Sequence, residues 1–113
     1  MSSEKGSGHW WAQRLTAVAL LFLGLWFLIS VVTLQSYQYD AVSAWLSQPW
    51  NSILMLLTFA TLVYHSKLGV QIVIEDYVHG QSIAPVSLRL NVMTHFLIAA
   101  AGIYAIFNVG FGT

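Results

Sequence analysis

LTAVALLFLGLWFLISVVTL, residues 15–34, is an apolar run without a single formally charged side chain. A helix needs about 20 mostly apolar residues to cross the hydrocarbon core of a bilayer. Two further stretches have that length: one begins near Trp50 and continues to about Tyr77, and the other runs from about Leu90 to Phe111. Because lipid offers no partner to free backbone groups, each span must close its hydrogen bonds internally. The sequence therefore predicts an all-α integral membrane protein with three transmembrane helices.

The composition is typical of a chain embedded in a lipid bilayer. Of the 113 residues, 58% are hydrophobic and 7% are charged, whereas about a quarter of a soluble domain is charged. Cysteine is absent, which excludes disulfides and thiolate metal sites. The net charge of zero gives no reason to expect a nucleic-acid partner. We expect one membrane-anchor domain, residues 1–113, with spans at about 12–34, 50–77 and 86–111.

The connections between the spans are predicted to be loops. The first, QSYQYDAVSAWLSQP, is polar and ends in Pro49, directly before the second span. The second, HGQSIAPVS, has Gly80 where a helix C-cap residue would lie and Pro85 near the start of the third span.

Basic residues set the expected orientation. Lys5 and Arg14 precede the first span, and Arg89 follows the second loop, whereas the first loop has no Lys or Arg. The positive-inside rule then predicts that the N-terminus and the second loop are cytoplasmic and that the C-terminus lies on the opposite side. The first span is too long for a typical signal peptide, and the segment before it lacks the Arg-rich, acid-poor character of a transit peptide. We therefore expect a bacterial chain or an already processed one.

One histidine is predicted to lie deep in the membrane. Asp76 follows His65 by eleven positions, which places both within about 20° of one helix face and about 16 Å apart along the axis. If Asp76 and Tyr77 lie at the cytoplasmic interface, His65 lies about half-way through the hydrocarbon. Gly69, one turn further, leaves room for a flat group. Ionisable side chains at such depth are costly and usually face a bundle interior.

Two interpretations of His65 remain open on the residues alone. It can be a neutral imidazole that hydrogen-bonds a neighbouring helix, or it can ligate a haem iron. In the second case the other ligand comes from His95 or from another protein. His95 lies shallower in the third span, so a packing role is favoured for it. Lys67 is expected to extend toward the headgroups, with an acid, a lipid phosphate or a haem propionate as alternative partners.

Residues 65–80, HSKLGVQIVIEDYVHG, resemble the histidine-to-Asp-Tyr signature of the small membrane-anchor subunit of succinate:quinone oxidoreductase (succinate dehydrogenase, complex II). That subunit has three transmembrane helices, with the histidine in the second. Here a glycine follows the histidine by four residues, and Asp76 and Tyr77 follow by eleven and twelve, as in the family. HWWAQRLTA, residues 9–17, looks like the family's entry to its first helix, with Arg14 at the basic position.

The resemblance implies specific roles for four residues. His65 would be one axial ligand of haem b and so a ligand of its iron, and Arg14 would approach a haem propionate. Tyr77 would donate a hydrogen bond to a ubiquinone carbonyl, and Asp76 would pair with a basic residue of a companion subunit at the same quinone site. Lys67 departs from the family pattern, and no role is assigned to it.

The resemblance also implies the setting of the chain. Haem b would be shared with a second membrane anchor, a cytochrome b subunit, and ubiquinone would be the substrate. FAD and iron–sulfur clusters would belong only to a flavoprotein subunit and an iron–sulfur subunit, so this chain would have no succinate-oxidising site. The complex would serve the respiratory chain and the tricarboxylic acid cycle in a bacterial inner (plasma) membrane, or in the mitochondrial inner membrane of a eukaryote.

Two alternatives stand beside this expectation. The chain could anchor a quinol:fumarate reductase, which runs electrons in the other direction; a haem-free anchor of that kind would lack the mid-membrane His65. It could also be a non-redox assembly or channel subunit with three helices, in which Lys67, Glu75 and Asp76 would line an aqueous path.

Overall fold

The computed structural model describes residues 3–111, with side chains from residue 7 onward, and this part of the chain forms four helices. They are α1 (Ser3–Thr33), α2 (Tyr39–Ser47), α3 (Pro49–Tyr77) and α4 (Ile83–Phe111). Three of them, α1, α3 and α4, are long and apolar enough to cross a membrane. The predicted all-α fold with three transmembrane helices is confirmed.

The prediction that the first connection is a loop is wrong over the nine residues of α2. Val42, Trp45 and Leu46 recur at helical spacing and so form an apolar stripe on an otherwise polar segment. Leu46 is buried against Gly110 of α4, and the Ser43 hydroxyl donates a hydrogen bond of 2.8 Å to a carbonyl near the end of the same helix. This packing gives the short helix the tertiary support that its length alone would not provide.

The helix α3 lies at the centre of the fold. It packs against α1 and against α4, and α2 contacts both α3 and α4. Among residues 3–111, the backbones of α1 and α4 do not approach each other closely. The molecule therefore presents two separate interhelical surfaces, one between α1 and α3 and the other between α3 and α4.

The turn between α3 and α4 differs in detail from the prediction. The C-cap of α3 is Val78 rather than Gly80. Gly80 lies two residues further on and has a φ of 142°, a conformation that glycine adopts without the steric cost of a Cβ. Its carbonyl accepts the amide of Ala84 at 3.1 Å, which starts α4. Pro85 lies in the first turn of that helix, as expected.

Few apolar side chains are buried within this single chain. Among residues 7–111, the buried hydrophobic side chains are those of Leu46, Leu68 and Ile106. Large aliphatic and aromatic side chains cover the outside of all three long helices. Such a surface suits contact with lipid or with other membrane subunits.

Candidate functional site

His65 projects from α3 toward α1 and is half-buried between the two helices. Its Nδ1 lies 2.8 Å from Oγ1 of Thr16 on α1. The same hydroxyl oxygen lies 2.7 Å from the backbone carbonyl oxygen of Ala12, one turn earlier. Thr16 therefore links the histidine to the backbone of the neighbouring helix.

This arrangement defines which ring nitrogen of His65 is free. A threonine hydroxyl has one proton to donate and two lone pairs with which to accept. When Thr16 donates that proton to the Ala12 carbonyl, Nδ1–H of His65 donates to Oγ1 of Thr16, and the lone pair of Nε2 stays available. Within residues 7–111, Nε2 of His65 has no hydrogen-bond partner. Metal-ligating histidines have this form, with one nitrogen on the metal and the other donating to a protein group.

Nε2 belongs to a side chain that lines an open cleft between α1 and α3, of about 440 Å³. We call this space the α1–α3 cleft. Its other lining residues are Trp10, Gln13, Arg14, Ala17, Val18 and Ile72. The structure thus brings two of the predicted site residues, His65 and Arg14, to one cleft.

Arg14 lies at the polar end of the cleft, near the start of the first hydrophobic span. Its guanidinium carbon is 4.5 Å from the centroid of the Trp10 ring, within the range of a cation–π contact. The guanidinium remains exposed. Among residues 7–111 its donors have no hydrogen-bond partner, so they can receive an anionic group while the indole ring supports the position of the guanidinium.

The side chain of Gln13 lies beside Gly69, where we expected room for a flat group. A Cβ at Gly69 would lie 3.4 Å from Nε2 of Gln13, so the glycine admits a side chain from α1. Oε1 of Gln13 is buried and has no hydrogen-bond partner among the described residues. Such a buried acceptor requires an explanation, and its position on the wall of the α1–α3 cleft leaves it beside His65 and Arg14.

Asp76 and Tyr77 lie at the other end of the predicted signature, in the last turn of α3. Both are exposed, and the Tyr77 side chain retains 78% of its accessible surface. They are about 16 Å along the helix axis from His65 and are not among the residues that line the α1–α3 cleft. The structure therefore places them beyond the end of the cleft, on a surface that residues 7–111 leave open.

His95 is occupied elsewhere, on the opposite interhelical surface. It is buried, its Nδ1–H donates to the Asn91 carbonyl at 3.0 Å, and its Nε2 accepts from the Ser66 hydroxyl at 3.0 Å. With both ring nitrogens engaged, His95 has no lone pair to offer a metal. These contacts fit the packing role that was favoured for His95.

Lys67 also lies on the α4 side of α3. Its Nζ is 5.7 Å from the centroid of the Tyr64 ring, one turn earlier on the same helix. Its backbone carbonyl accepts Nδ2 of Asn91 at 3.0 Å. Neither contact connects Lys67 with the α1–α3 cleft.

No role was predicted for two residues of this region, Thr16 and Gln13. Thr16 lies within the segment that carries the resemblance, two residues after Arg14. This proximity to Arg14 is the feature of the sequence that could have indicated a role for Thr16. Which residue of α1 faces His65 depends on the relative register of two helices, and the sequence does not display it.

The chain is similar to known proteins over nearly its whole length. A sequence model of the succinate dehydrogenase/fumarate reductase transmembrane subunit matches residues 1–108. The succinate dehydrogenase hydrophobic membrane anchor subunit of Rickettsia bellii is 32% identical over 109 residues, which cover 96% of this chain and 87% of that protein. The succinate dehydrogenase membrane anchor subunit of Reclinomonas americana is 36% identical over 91 residues, covering 78% and 76%. No solved structure gives a significant match.

The matched region includes α1, α3, α4 except its last three residues, and the whole α1–α3 cleft. The resemblance seen in the His-to-Asp-Tyr segment is therefore confirmed over almost the full length. This multi-pass membrane protein belongs to the family of succinate dehydrogenase and fumarate reductase transmembrane subunits.

Proposed function

We propose that this chain anchors a succinate:quinone oxidoreductase in the membrane, supplies one axial ligand of haem b and forms part of the site where ubiquinone is reduced. The observation that carries the proposal concerns His65. Its Nδ1 lies 2.8 Å from Oγ1 of Thr16, its Nε2 has no hydrogen-bond partner among residues 7–111, and its side chain lines an open cleft. The relatives described above are succinate dehydrogenase anchors. Their names favour this enzyme over a quinol:fumarate reductase.

Two residues that line the α1–α3 cleft, His65 and Arg14, have the chemistry to hold a haem. His65 would ligate the iron through Nε2, and the exposed guanidinium of Arg14 would neutralise a propionate. When bound, the haem would accept and release one electron at a time. The cleft is open at its side, so the second axial ligand and the facing wall would come from a companion anchor subunit. His95 is compatible with this division because its ring nitrogens are used within the chain.

The quinone site would lie at the exposed end of α3. Converting ubiquinone to ubiquinol takes two electrons and two protons, and a hydrogen-bond donor at a carbonyl stabilises the negative charge that develops there. The Tyr77 hydroxyl is such a donor, and its exposure in this chain leaves it available to a quinone held between subunits. Asp76 would pair with a basic residue of the companion subunit and help to pass protons from the aqueous side.

The electrons would come from outside this chain. Oxidation of succinate to fumarate releases two electrons and two protons, and a flavoprotein subunit would catalyse it. An iron–sulfur subunit would pass the electrons to the quinone. The N-terminus of α1, the C-terminus of α3 and the N-terminus of α4 share one side because the long helices alternate in direction. We place that side, with Arg14 and Arg89, in the cytoplasm.

The non-redox alternative has less support. It needs Lys67, Glu75 and Asp76 along a common aqueous path. Lys67 instead lies over the Tyr64 ring on the α4 side of α3, and Glu75 accepts a hydrogen bond of 3.3 Å from Gln71 at the helix end.

The test is the optical spectrum of the assembled complex, purified in mild detergent with its subunits identified by mass spectrometry. His65→Ala should remove the haem or change the reduced-minus-oxidised spectrum, because the iron loses an axial ligand. His79→Ala is the matched control, since this exposed histidine lies outside the helices. An unchanged spectrum in His65→Ala would refute ligation, and a colourless wild-type complex that conducts ions would favour the channel alternative.

A further inference from the structure

Thr16 makes the contact through which α1 acts on His65. Among residues 7–111, the bond between Oγ1 of Thr16 and Nδ1 of His65, at 2.8 Å, is the only side-chain hydrogen bond that joins α1 to α3. Its oxygen also lies 2.7 Å from the Ala12 carbonyl oxygen and 3.1 Å from that of Gln13. The hydroxyl proton is therefore directed along α1 while the lone pairs remain for the imidazole.

We propose that Thr16 is a positioning residue for haem ligation. Its hydroxyl holds His65 in the Nδ1–H tautomer, fixes the plane of the ring and strengthens electron donation from Nε2. This inference rests on the proposed function, because it concerns how the ligand is prepared rather than whether His65 is the ligand. Partners that accept the second N–H of a ligating histidine act in this way on its orientation and basicity.

The side chain of Thr16 is suited to this role. In a helix, threonine can direct its oxygen to the carbonyl three or four residues earlier, and branching at Cβ limits it to few rotamers. The local bond to Ala12 therefore places Oγ1 before the histidine meets it. Because the hydroxyl has only one proton, donation to Ala12 leaves Oγ1 as an acceptor toward His65.

Thr16 lies close to both the proposed haem ligand, His65, and the positive charge of Arg14. Arg14 precedes it by two residues on the same helix and lines the same cleft as His65. A shift of α1 relative to α3 would thus change both the guanidinium position and the hydrogen bond to the imidazole. The first half of α1 would thus act on the haem through two side chains, the guanidinium of Arg14 and the hydroxyl of Thr16.

The test uses three substitutions in the complete complex. Thr16→Val removes the hydroxyl but keeps a similar shape, and Thr16→Ser keeps the hydroxyl. Thr33→Val is the matched control, because Thr33 on the same helix makes the same kind of bond, 2.7 Å to the carbonyl of Ile29, and is exposed. Haem content, the haem midpoint potential from a redox titration and the low-spin electron paramagnetic resonance signal are measured for each.

Thr16→Val should make the haem easier to reduce, because a less basic imidazole stabilises the ferric state less. It should also weaken haem retention about tenfold or more, as loss of such partners does at other metal sites. Thr16→Ser and Thr33→Val should resemble the wild type in potential, resonance signal and haem content. Rescue by serine would assign the effect to the hydroxyl rather than to helix packing.

Three results would overturn the inference. They are a wild-type potential and resonance signal in Thr16→Val, an equal loss of haem from Thr16→Ser and Thr16→Val, and lower haem content without any change in the haem that remains. The His65→Ala spectrum separates this failure from failure of the proposed function. If His65→Ala loses the haem while Thr16→Val behaves as the wild type, His65 remains the ligand and only the role of Thr16 is refuted.

Discussion

The ring of Phe59 on α3 packs directly over the backbone of Gly102 on α4, so that a Cβ at position 102 would overlap three atoms of the ring. Small residues at helix interfaces in membranes allow this close approach, because packing and polar contacts rather than hydrophobic burial hold such helices together. The close approach of α3 and α4 at Phe59 therefore requires a residue without a Cβ at position 102.

Gly102→Ala should destabilise the complex by about 1–3 kcal/mol, the usual cost of overpacking a filled interface. The measurement is unfolding of the purified complex by denaturing detergent, followed by circular dichroism. Gly24→Ala is the control, because a Cβ there meets no atom within 4 Å. Adding Phe59→Leu to Gly102→Ala should restore part of the lost stability; a double variant no better than Gly102→Ala would show that the ring is not the obstacle.

His95→Leu should weaken the α3–α4 interface without altering the haem spectrum. The substitution removes the bonds of His95 to Ser66 and to the Asn91 carbonyl, and polar contacts between membrane helices contribute about 0.6 kcal/mol on average and at most about 1.7. The same denaturing-detergent experiment measures the loss, with Asn108→Leu at an exposed position of α4 as control. A changed haem spectrum in an assembled His95→Leu complex would contradict a purely packing role.

Tyr77→Phe should leave assembly and the haem spectrum intact but slow quinone reduction. Removing one donor from a site that stabilises developing charge lowers turnover by about 10²- to 10³-fold in well-studied enzymes. The assay is succinate-dependent reduction of a soluble ubiquinone analogue by the purified complex. Tyr104→Phe is the matched control, since this tyrosine is 70% exposed on α4. Normal turnover in Tyr77→Phe would remove Tyr77 from the site.

Arg14→Leu should make the haem harder to reduce, because it withdraws a positive charge that favours the more electron-rich state. This shift is opposite in sign to the one expected for Thr16→Val, so the two variants report on different interactions. Arg14→Lys keeps the charge and should lie closer to the wild type, although lysine is not equivalent to arginine at a stacked position. A wild-type haem potential and quinone affinity in Arg14→Leu would refute the assignment.

The transmembrane helices could be predicted from the sequence because length and apolar character within one segment are sufficient to indicate a span. The helix α2 could not be predicted in this way, because its support comes from another part of the fold. Its nine residues are too short and too polar to register as a span, and its apolar stripe finds a partner only where Leu46 meets Gly110. Support from another part of the fold is not visible in the segment itself.

The candidate site could be predicted only where its residues lie on one helix. His65 and Asp76 share one helix, so their separation follows from helix geometry. The pairing of Thr16 with His65, and of Gln13 with Gly69, joins α1 to α3. Such pairs depend on how two helices are set against each other, and a single sequence contains no measure of that offset.

The scarcity of buried apolar side chains has a consequence for the life of the protein before assembly. With only Leu46, Leu68 and Ile106 enclosed among residues 7–111, a newly inserted copy gains little from keeping its helices together, since lipid solvates them almost as well. We expect an orphan copy to be short-lived, cleared by membrane proteases that act on loosely associated helices. Its abundance in the cell would then follow the supply of its partners rather than its own rate of synthesis.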